Sequence, residues 1–195
     1  MTDKTAKNDS NSKAQVAVPI YSGLASSSQI HTVYMPDEIH EQHEDYYPLF
    51  ELLASCKAHD VVVLQLSCCG GNVSVGYRIC HALRNSQATV LCKVEGPCYS
   101  MGAMIAVSGD GVQINPGASL MFHSYTAEHQ GKARELMDSV AQYDEYYWTT
   151  FSYFCEPFLT AKEVGALKND KDVYISGSDK DYSRRVKRHF KEQQR

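Results

Sequence analysis

The chain has 195 residues, a formal net charge of −4 and a sequence pI near 6.0. Its length and its hydrophobic content of 43% suit a single domain with one good core. The charge balance does not indicate a nucleic-acid partner, and no apolar stretch approaches the roughly 18 to 20 residues that cross a bilayer.

The N-terminal segment, residues 1–15, is polar and lacks the apolar stretch of a secretory signal. It has too little apolar surface to offset the entropy of ordering, so we predict a flexible arm and a cytoplasmic protein. The seven cysteines form no C-x-x-C pair and are interpreted as free thiols. The adjacent Cys68 and Cys69 are not a ligand set by themselves. We therefore predict neither a metal nor another cofactor.

The first half of the chain alternates between strand and helix patterns. The continuous apolar run Val61–Leu66 is typical of a strand that is buried on both faces. It leads through the Gly70-Gly71 turn into a helix and then a second strand of the same kind, which together make a βαβ unit. An α/β fold is therefore expected. The predicted strands are 31–34, 61–66 and 89–94, and the predicted helices are 46–56 and 73–83.

The second half continues this alternation and contains one long helix over 132–154. Its length predicts that it projects from the domain. Residues 180–195 carry seven basic and two acidic side chains, a local charge of +5, and are expected to form a solvated basic tail. The other predicted elements are a buried helix at 100–107, strands at 109–114, 119–123 and 173–176, and a helix that ends at 167 and is opened by a capping box at Thr160 and Glu163.

Ser100 lies where a strand meets a buried helix of small residues. A helix N-terminus offers free N–H groups to a developing oxyanion, so Ser100 is a candidate nucleophile, although this segment taken alone favours an ordinary helix cap. His123 ends a short strand and Asp172 precedes another. An imidazole is the usual general base, and a carboxylate can hold its tautomer, but both residue types are also common without any such role.

Five segments together resemble the Clp protease proteolytic-subunit family over roughly residues 31–176. The matching segments are 68–71 (CCGG), 99–103 (YSMGA), 121–125 (MFHSY), 130–133 (QGKA) and 172–176 (DVYIS). Any one of them would be unspecific, but all five occur in the family's order. The resemblance predicts an α/β fold of repeated β-β-α units, shared with the crotonase-like superfamily, and a projecting long handle helix.

The resemblance implies a serine endopeptidase that cleaves peptides or unfolded proteins through an acyl-enzyme. Its expected catalytic residues are Ser100, His123 and Asp172, with the backbone N–H groups of Gly70 and Met101 as oxyanion hole and with Gly71 binding substrate. It also implies a homo-oligomer of two heptameric rings, held together through the long helix, and a Clp-type AAA+ ATPase partner. The expected organisation is a polar arm over 1–15, a peptidase domain over 16–179 and the basic tail over 180–195.

The chain departs from the family at several positions. Cys68 and Cys69 replace Ser-Pro in the Gly-Gly turn, while Val63 and Gln65 replace aromatic residues that help to dock the ATPase. Two other functions therefore stay open. One is a non-catalytic ring subunit or assembly protein, and the other is a crotonase-like acyl-CoA enzyme, which would need no Ser-His-Asp set. His40 and His43, three residues apart among glutamates, are interpreted as a solvated face rather than a metal site.

Overall fold

The computed structural model describes residues 18–25, 28–156 and 158–193, so the predicted arm over 1–15 lies outside the described residues. In chain order the strands are β1 (Ile20–Ala25), β2 (Ser28–Tyr34), β3 (Val61–Leu66), β4 (Thr89–Val94), β5 (Pro97–Tyr99), β6 (Gly111–Ile114), β7 (Ser119–Phe122) and β8 (Val173–Ser176). The helices are α1 (Tyr47–Ser55), α2 (Val73–Asn85), α3 (Met101–Ala106), α4 (Ala133–Cys155), α5 (Ala161–Leu167) and α6 (Tyr182–Gln193). The α/β class is confirmed.

The strands form two sheets. The first is five-stranded in the order β1-β2-β3-β4-β6, and the second is three-stranded in the order β5-β7-β8. In the first sheet β2, β3, β4 and β6 run parallel, and β1 pairs antiparallel with β2 as a hairpin. In the second sheet β5 and β7 run parallel and β8 is antiparallel to β7.

Strand β3 shows how the core is built. Val62, Leu64 and Leu66 are at most 1% exposed and belong to one apolar cluster with residues of α1 and α2. The alternate residues Val61, Val63 and Gln65 are only half-buried, and in β4 Leu91 is 38% exposed. The prediction of strands buried on both faces is therefore wrong for this single chain, in which one face of the sheet is covered far better than the other.

Two strands escaped the sequence prediction. One is β1, which comes from a polar, glycine-containing stretch whose apolar pattern is weak. Its partner β2 was predicted over 31–34 and begins three residues earlier, at Ser28. Strand β5 has only three residues and is defined by its pairing with β7. Both are stabilised by partner strands rather than by their own sequence.

The long helix α4 has two different halves. From Ala133 to Tyr146 most side chains are exposed, including Met137 at 73% and Val140 at 41%. From Tyr147 onward the helix packs on the domain, and its buried residues are Tyr147, Trp148, Phe151, Phe154 and Cys155. The predicted projecting helix is confirmed. Its aromatic residues are divided between core packing and an exposed face.

Helix α6 packs on the domain more closely than a solvated tail would. Arg185 makes two hydrogen bonds of 2.9 and 2.7 Å to the Glu163 carboxylate and a 2.9 Å ion pair with Asp181. The Tyr182 hydroxyl accepts from the Ile114 N–H and donates to the Val112 carbonyl, both in β6, and His189 is fully buried. The expectation of a solvated helix is therefore wrong for this inner face, because its polar side chains find partners on the domain. Within the described ranges no helix is both long enough and apolar enough to cross a membrane.

Candidate active site

The three-stranded sheet brings the predicted catalytic residues to one edge. In the parallel pair β5–β7, Tyr99 is opposite Met121, and the N–H of Ser100 donates to the Met121 carbonyl at 2.8 Å. In the antiparallel pair β7–β8, Phe122 is opposite Val173. Continuing the β7–β8 register by one residue places His123 opposite Asp172, and the bond from the Ser100 N–H to Met121 places Ser100 at the same end of the sheet. Two residues that are 72 apart in the chain, Ser100 and Asp172, thereby come to the same end of the sheet.

The backbone at Ser100 is strained. Its φ of 54° and ψ of −124° lie in a backbone region that residues other than glycine rarely adopt. Ser100 occupies the N-cap position of α3, but its side chain makes no capping hydrogen bond. The ordinary-cap interpretation is therefore wrong. A sharp turn between strand and helix that exposes a serine hydroxyl is typical of a nucleophile.

Gly70 approaches this turn very closely. Its φ is +100°, and a Cβ at Gly70 would lie 2.7 Å from the Ser100 Cβ and 3.1 Å from the Met101 nitrogen. Only glycine allows both this conformation and this approach. Met101 begins α3, so its N–H precedes the hydrogen-bond ladder of the helix. The two backbone N–H groups predicted as an oxyanion hole thus belong to adjoining segments.

Gly71 has a different neighbour. It forms an isolated parallel bridge with Ile39, and a Cβ would collide with the Ile39 carbonyl oxygen. The Ile39 N–H donates to the Gly70 carbonyl at 2.7 Å, and the Asn72 N–H donates to the Ile39 carbonyl at 2.8 Å. These bonds hold the Gly-Gly turn in place. Gly71 also lines the pocket beside Ser100, as a substrate-binding residue would.

A pocket of about 100 Å³ adjoins Ser100 and His123. Its wall is divided about equally between polar and apolar atoms, and much of the apolar part is contributed by α3, β7 and the buried half of α4. The lining residues of these elements are Met101, Met104, Phe122, Tyr147 and Phe151. The Tyr147 hydroxyl donates to the His123 carbonyl at 3.4 Å, a contact that the sequence did not indicate because the two residues are 24 apart.

Asp172 is less closely engaged than the other two candidates. It is exposed and is not among the residues that line the pocket. Within the described ranges no hydrogen bond joins the side chains of Ser100, His123 and Asp172. Such bonds are often long in free enzymes and shorten when substrate binds. The register therefore makes Asp172 a neighbour of His123, and its contact with the imidazole stays a prediction.

The two unusual thiols of the turn differ in environment. Cys68 is buried, and burial raises the pKa of its thiol to about 11, so it is neutral at pH 7. Cys69 is exposed. All seven cysteines are free, as the sequence predicted. Because a protonated thiol is a poor nucleophile, Cys68 does not compete with Ser100.

The fold and this site define a class of α/β proteins in which a serine follows a short strand and opens a buried helix. Residues 12–179 match the family model described as Clp protease. Since that match covers most of the 195 residues, the chain belongs to the Clp protease family. Family membership supports a protease-type proteolytic subunit and implies oligomeric assembly. The resemblance inferred from the five segments is confirmed.

A solved structure of a ClpP1 point mutant from Listeria monocytogenes is similar in fold. The TM-score is 0.60, the sequence identity is 19%, and the alignment covers 80% of this chain and 88% of that chain. No curated protein matches this sequence. At this identity the structural likeness bears on the fold alone.

Proposed function

We propose that this chain is a serine endopeptidase and acts as the proteolytic subunit of a Clp-type compartmentalised protease. The observation that carries this proposal is the Ser100 turn. Its hydroxyl makes no capping bond, its backbone is held in a strained conformation, and it shares a pocket with His123. A serine that served only as an N-cap would make a capping bond and would require neither the strained backbone nor the pocket.

In the proposed mechanism the Ser100 Oγ attacks the scissile carbonyl carbon while His123 accepts the hydroxyl proton. The carbonyl oxygen becomes an oxyanion, which accepts hydrogen bonds from the N–H groups of Gly70 and Met101. His123 then passes its proton to the leaving amine, and the peptide C–N bond breaks. Water, deprotonated by His123, releases the acyl group from Ser100. Asp172 orients the imidazole throughout.

The substrate we propose is an unfolded peptide with an apolar side chain next to the cleaved bond. The pocket beside Ser100 is small, and half of the residues that line it are methionine or aromatic. An apolar side chain would displace water from this wall, whereas a charged one would be buried without a partner. The extended backbone of the peptide would lie along Gly71.

The proposed assembly is a homo-oligomer of two heptameric rings that enclose these sites. The exposed half of α4 carries apolar residues that a neighbouring subunit would bury, among them Met137 and Val140. An AAA+ ATPase partner and a cytoplasmic location also belong to this proposal. Val63 and Gln65 stand where the family's docking strand is aromatic, so ATPase docking would differ from that of the family.

A fluorophosphonate probe tests the proposal directly, because it reacts only with activated serine hydroxyls. The purified full-length protein would be labelled and compared with Ser100→Ala and with Ser183→Ala, a matched control on the exposed face of α6. We expect one labelled peptide that contains Ser100, its loss in Ser100→Ala and its retention in Ser183→Ala. Mass spectrometry of the peptides locates the label.

A non-catalytic ring subunit is the second candidate, because the family likeness does not require activity and, within the described ranges, no hydrogen bond joins the side chains of Ser100, His123 and Asp172. An assembled oligomer without any label at Ser100 would contradict the peptidase proposal and support this alternative. The crotonase-like acyl-CoA alternative has no comparable support, since the family of the chain is one of proteases.

A further inference from the structure

A second pocket lies on the five-stranded sheet, at the point where β2, the end of α1 and the start of β3 meet. Its volume is about 160 Å³, and it shares no lining residue with the pocket at Ser100. Its lining residues are Gln29, His31, Leu52, Ser55, Cys56, Lys57, His59 and Asp60. Imidazole, thiol and carboxylate groups thus meet in one small space.

Three of these side chains are close enough together to hold one ion. His31, Cys56 and Asp60 are 6%, 7% and 5% exposed, and their donor atoms all lie within 4.8 Å of one another. A tetrahedral zinc ion at about 2.0 to 2.3 Å from each donor needs donor separations of roughly 3.5 Å. Binding would therefore draw the donors together by up to about 1.3 Å, the difference between 4.8 and roughly 3.5 Å.

The donors are already oriented by their neighbours. The Asp60 carboxylate accepts hydrogen bonds from the N–H groups of Gln29 at 2.9 Å and Lys57 at 2.8 Å, which favour its charged form. Each oxygen keeps a second lone pair. Nδ1 of His31 lies 2.7 Å from the Ser22 hydroxyl, so Nε2 is the nitrogen that remains for a ligand. Metal-binding histidines are commonly held in this way through their other ring nitrogen.

A fourth donor is available at the mouth of the pocket. Nε2 of His59 lies 3.8 Å from Oδ1 of Asp60, and the His59 side chain is 54% exposed. An exposed imidazole can rotate at little cost, so it can complete a tetrahedron from the solvent side. Two nitrogens, one sulfur and one oxygen are all donors that zinc accepts in proteins.

We propose that His31, Cys56, His59 and Asp60 form a structural zinc site that ties the β1–β2 hairpin to α1 and β3. Binding forms a zinc–thiolate bond at Cys56, and the thiol proton passes to solvent. No electron transfer is involved. With four protein ligands the ion has no open position, so its effect is on stability and not on the chemistry at Ser100.

The test uses Co²⁺ and Zn²⁺ with the metal-free full-length protein. A tetrahedral Co²⁺ site with a thiolate ligand shows a ligand-to-metal charge-transfer band in the near ultraviolet and intense visible bands. We expect one equivalent of Co²⁺ to produce both and one equivalent of Zn²⁺ to abolish them. Zn²⁺ should also raise the melting temperature, since it binds the folded chain preferentially.

The variants assign the ligands. Cys56→Ser should lose the charge-transfer band, and His59→Ala, at an exposed position that tolerates truncation, should weaken Zn²⁺ binding by at least about tenfold. Ser22→Ala, which removes only the orienting hydroxyl, should weaken it by roughly 10- to 100-fold. Cys69→Ser and His40→Gln are the matched controls, with a thiol and an imidazole removed elsewhere, and both should bind as the wild type does.

Two results would overturn the zinc proposal. One is a wild-type chain that folds but shows no tetrahedral Co²⁺ spectrum. The other is a charge-transfer band that survives in Cys56→Ser and disappears in Cys69→Ser. If Cys56→Ser fails to fold, His59→Ala still tests the proposal. Unchanged Zn²⁺ affinity in that variant would mean that His59 is not the fourth ligand and that the site is not closed.

Discussion

Ser100 and Thr160 occupy the same local position, yet their environments differ completely. Each is the hydroxyl residue at the N-cap of a helix, Ser100 for α3 and Thr160 for α5. Thr160 accepts from the Glu163 N–H at 3.3 Å, and the Glu163 carboxylate accepts from the Thr160 N–H at 2.8 Å. Ser100 makes no capping bond and has φ 54°. A hydroxyl committed to its own helix supports structure, whereas one left free on a strained turn is available for chemistry.

The surroundings of the two caps extend this contrast. Burial raises the pKa of Glu163, but the hydrogen bonds from Arg185 and Thr160 outweigh it and bring that pKa down to about 2. In this network the Glu163 carboxylate is paired with the Arg185 guanidinium and accepts from Thr160. At Ser100, by contrast, the neighbours are glycines and backbone N–H groups, which offer hydrogen bonds to an atom that arrives from outside. Substitutions at either cap can therefore test this difference between Ser100 and Thr160.

Gly70→Ala is expected to have the largest effect. The added Cβ would meet Ser100 and Met101, and the φ of +100° would be strained for alanine, so the oxyanion N–H groups would move apart. Loss of one such donor costs about 100- to 1000-fold in turnover. Hydrolysis of a fluorogenic peptide measures the change.

Gly165→Ala is the matched control for this glycine. A Cβ there would meet nothing within 4 Å, and the position is helical. Alanine should therefore stabilise α5 by about 0.5 to 1 kcal/mol and leave turnover unchanged. Equal turnover for Gly70→Ala and the wild type would remove Gly70 from the proposed oxyanion hole.

Arg185→Gln should break the network around the Thr160 cap. It removes the ion pair between Arg185 and Glu163, whose side chains are 11% and 21% exposed respectively. The partly buried Glu163 carboxylate is then left without its cation. We expect a loss of about 2 kcal/mol in the free energy of unfolding, measured by urea denaturation. The exposed neighbour Arg184→Gln serves as control, and an equal loss there would show that the effect is one of net charge.

The same network predicts a pH dependence of stability. The folded pKa of Glu163 is about 2 against an ordinary value of 4.5, so the folded state holds this proton less tightly than the unfolded state does. The resulting stability is complete above about pH 4.5 and is lost as the pH falls towards 2. Urea unfolding between pH 2 and 6 should show a flatter dependence in Glu163→Gln. An unchanged slope would mean that other carboxylates dominate.

The smallest expected effects are the changes in stability when each cap hydroxyl is removed, and they compare Thr160 with Ser100 directly. Thr160→Ala should destabilise the fold by about 1 kcal/mol because it removes a capping acceptor. Ser100→Ala should change the melting temperature little, since the Ser100 side chain caps nothing. Ser100→Gly should be the most stable of these variants, because glycine tolerates a φ of 54°. A large destabilisation in Ser100→Ala would restore the ordinary-cap interpretation.

Local pattern was sufficient for most of the secondary structure. Strands β3, β4 and β8 have the predicted bounds, and α4 and α5 differ from prediction by a residue or so, because a β-branched run and a capping box are complete within a few residues. Strands β1 and β5 were missed, since their stability comes from pairing with other strands. The prediction that residues 180–195 form a solvated helix was wrong for the inner face of α6 for a similar reason. Its polar residues find partners that are distant in the chain.

The candidate residues divide in the same way. The order of the five segments was enough to nominate Ser100, His123, Asp172, Gly70, Gly71 and Met101 and to identify the family. It could not distinguish a free hydroxyl at Ser100 from a capping one, because the two differ only in backbone conformation. The grouping of His31, Cys56 and Asp60 was also invisible, since no zinc-like spacing joins these three positions.

By itself, then, the sequence determined the α/β class, the family and which side chains are chemically capable of acyl transfer. Those properties depend on residue type and short spacings, which folding does not change. The tertiary structure alone decided which hydroxyl is left uncapped, which polar groups are paired and which donors share a pocket. Those properties depend on distances between separate segments, and such distances are set by strand register and core packing.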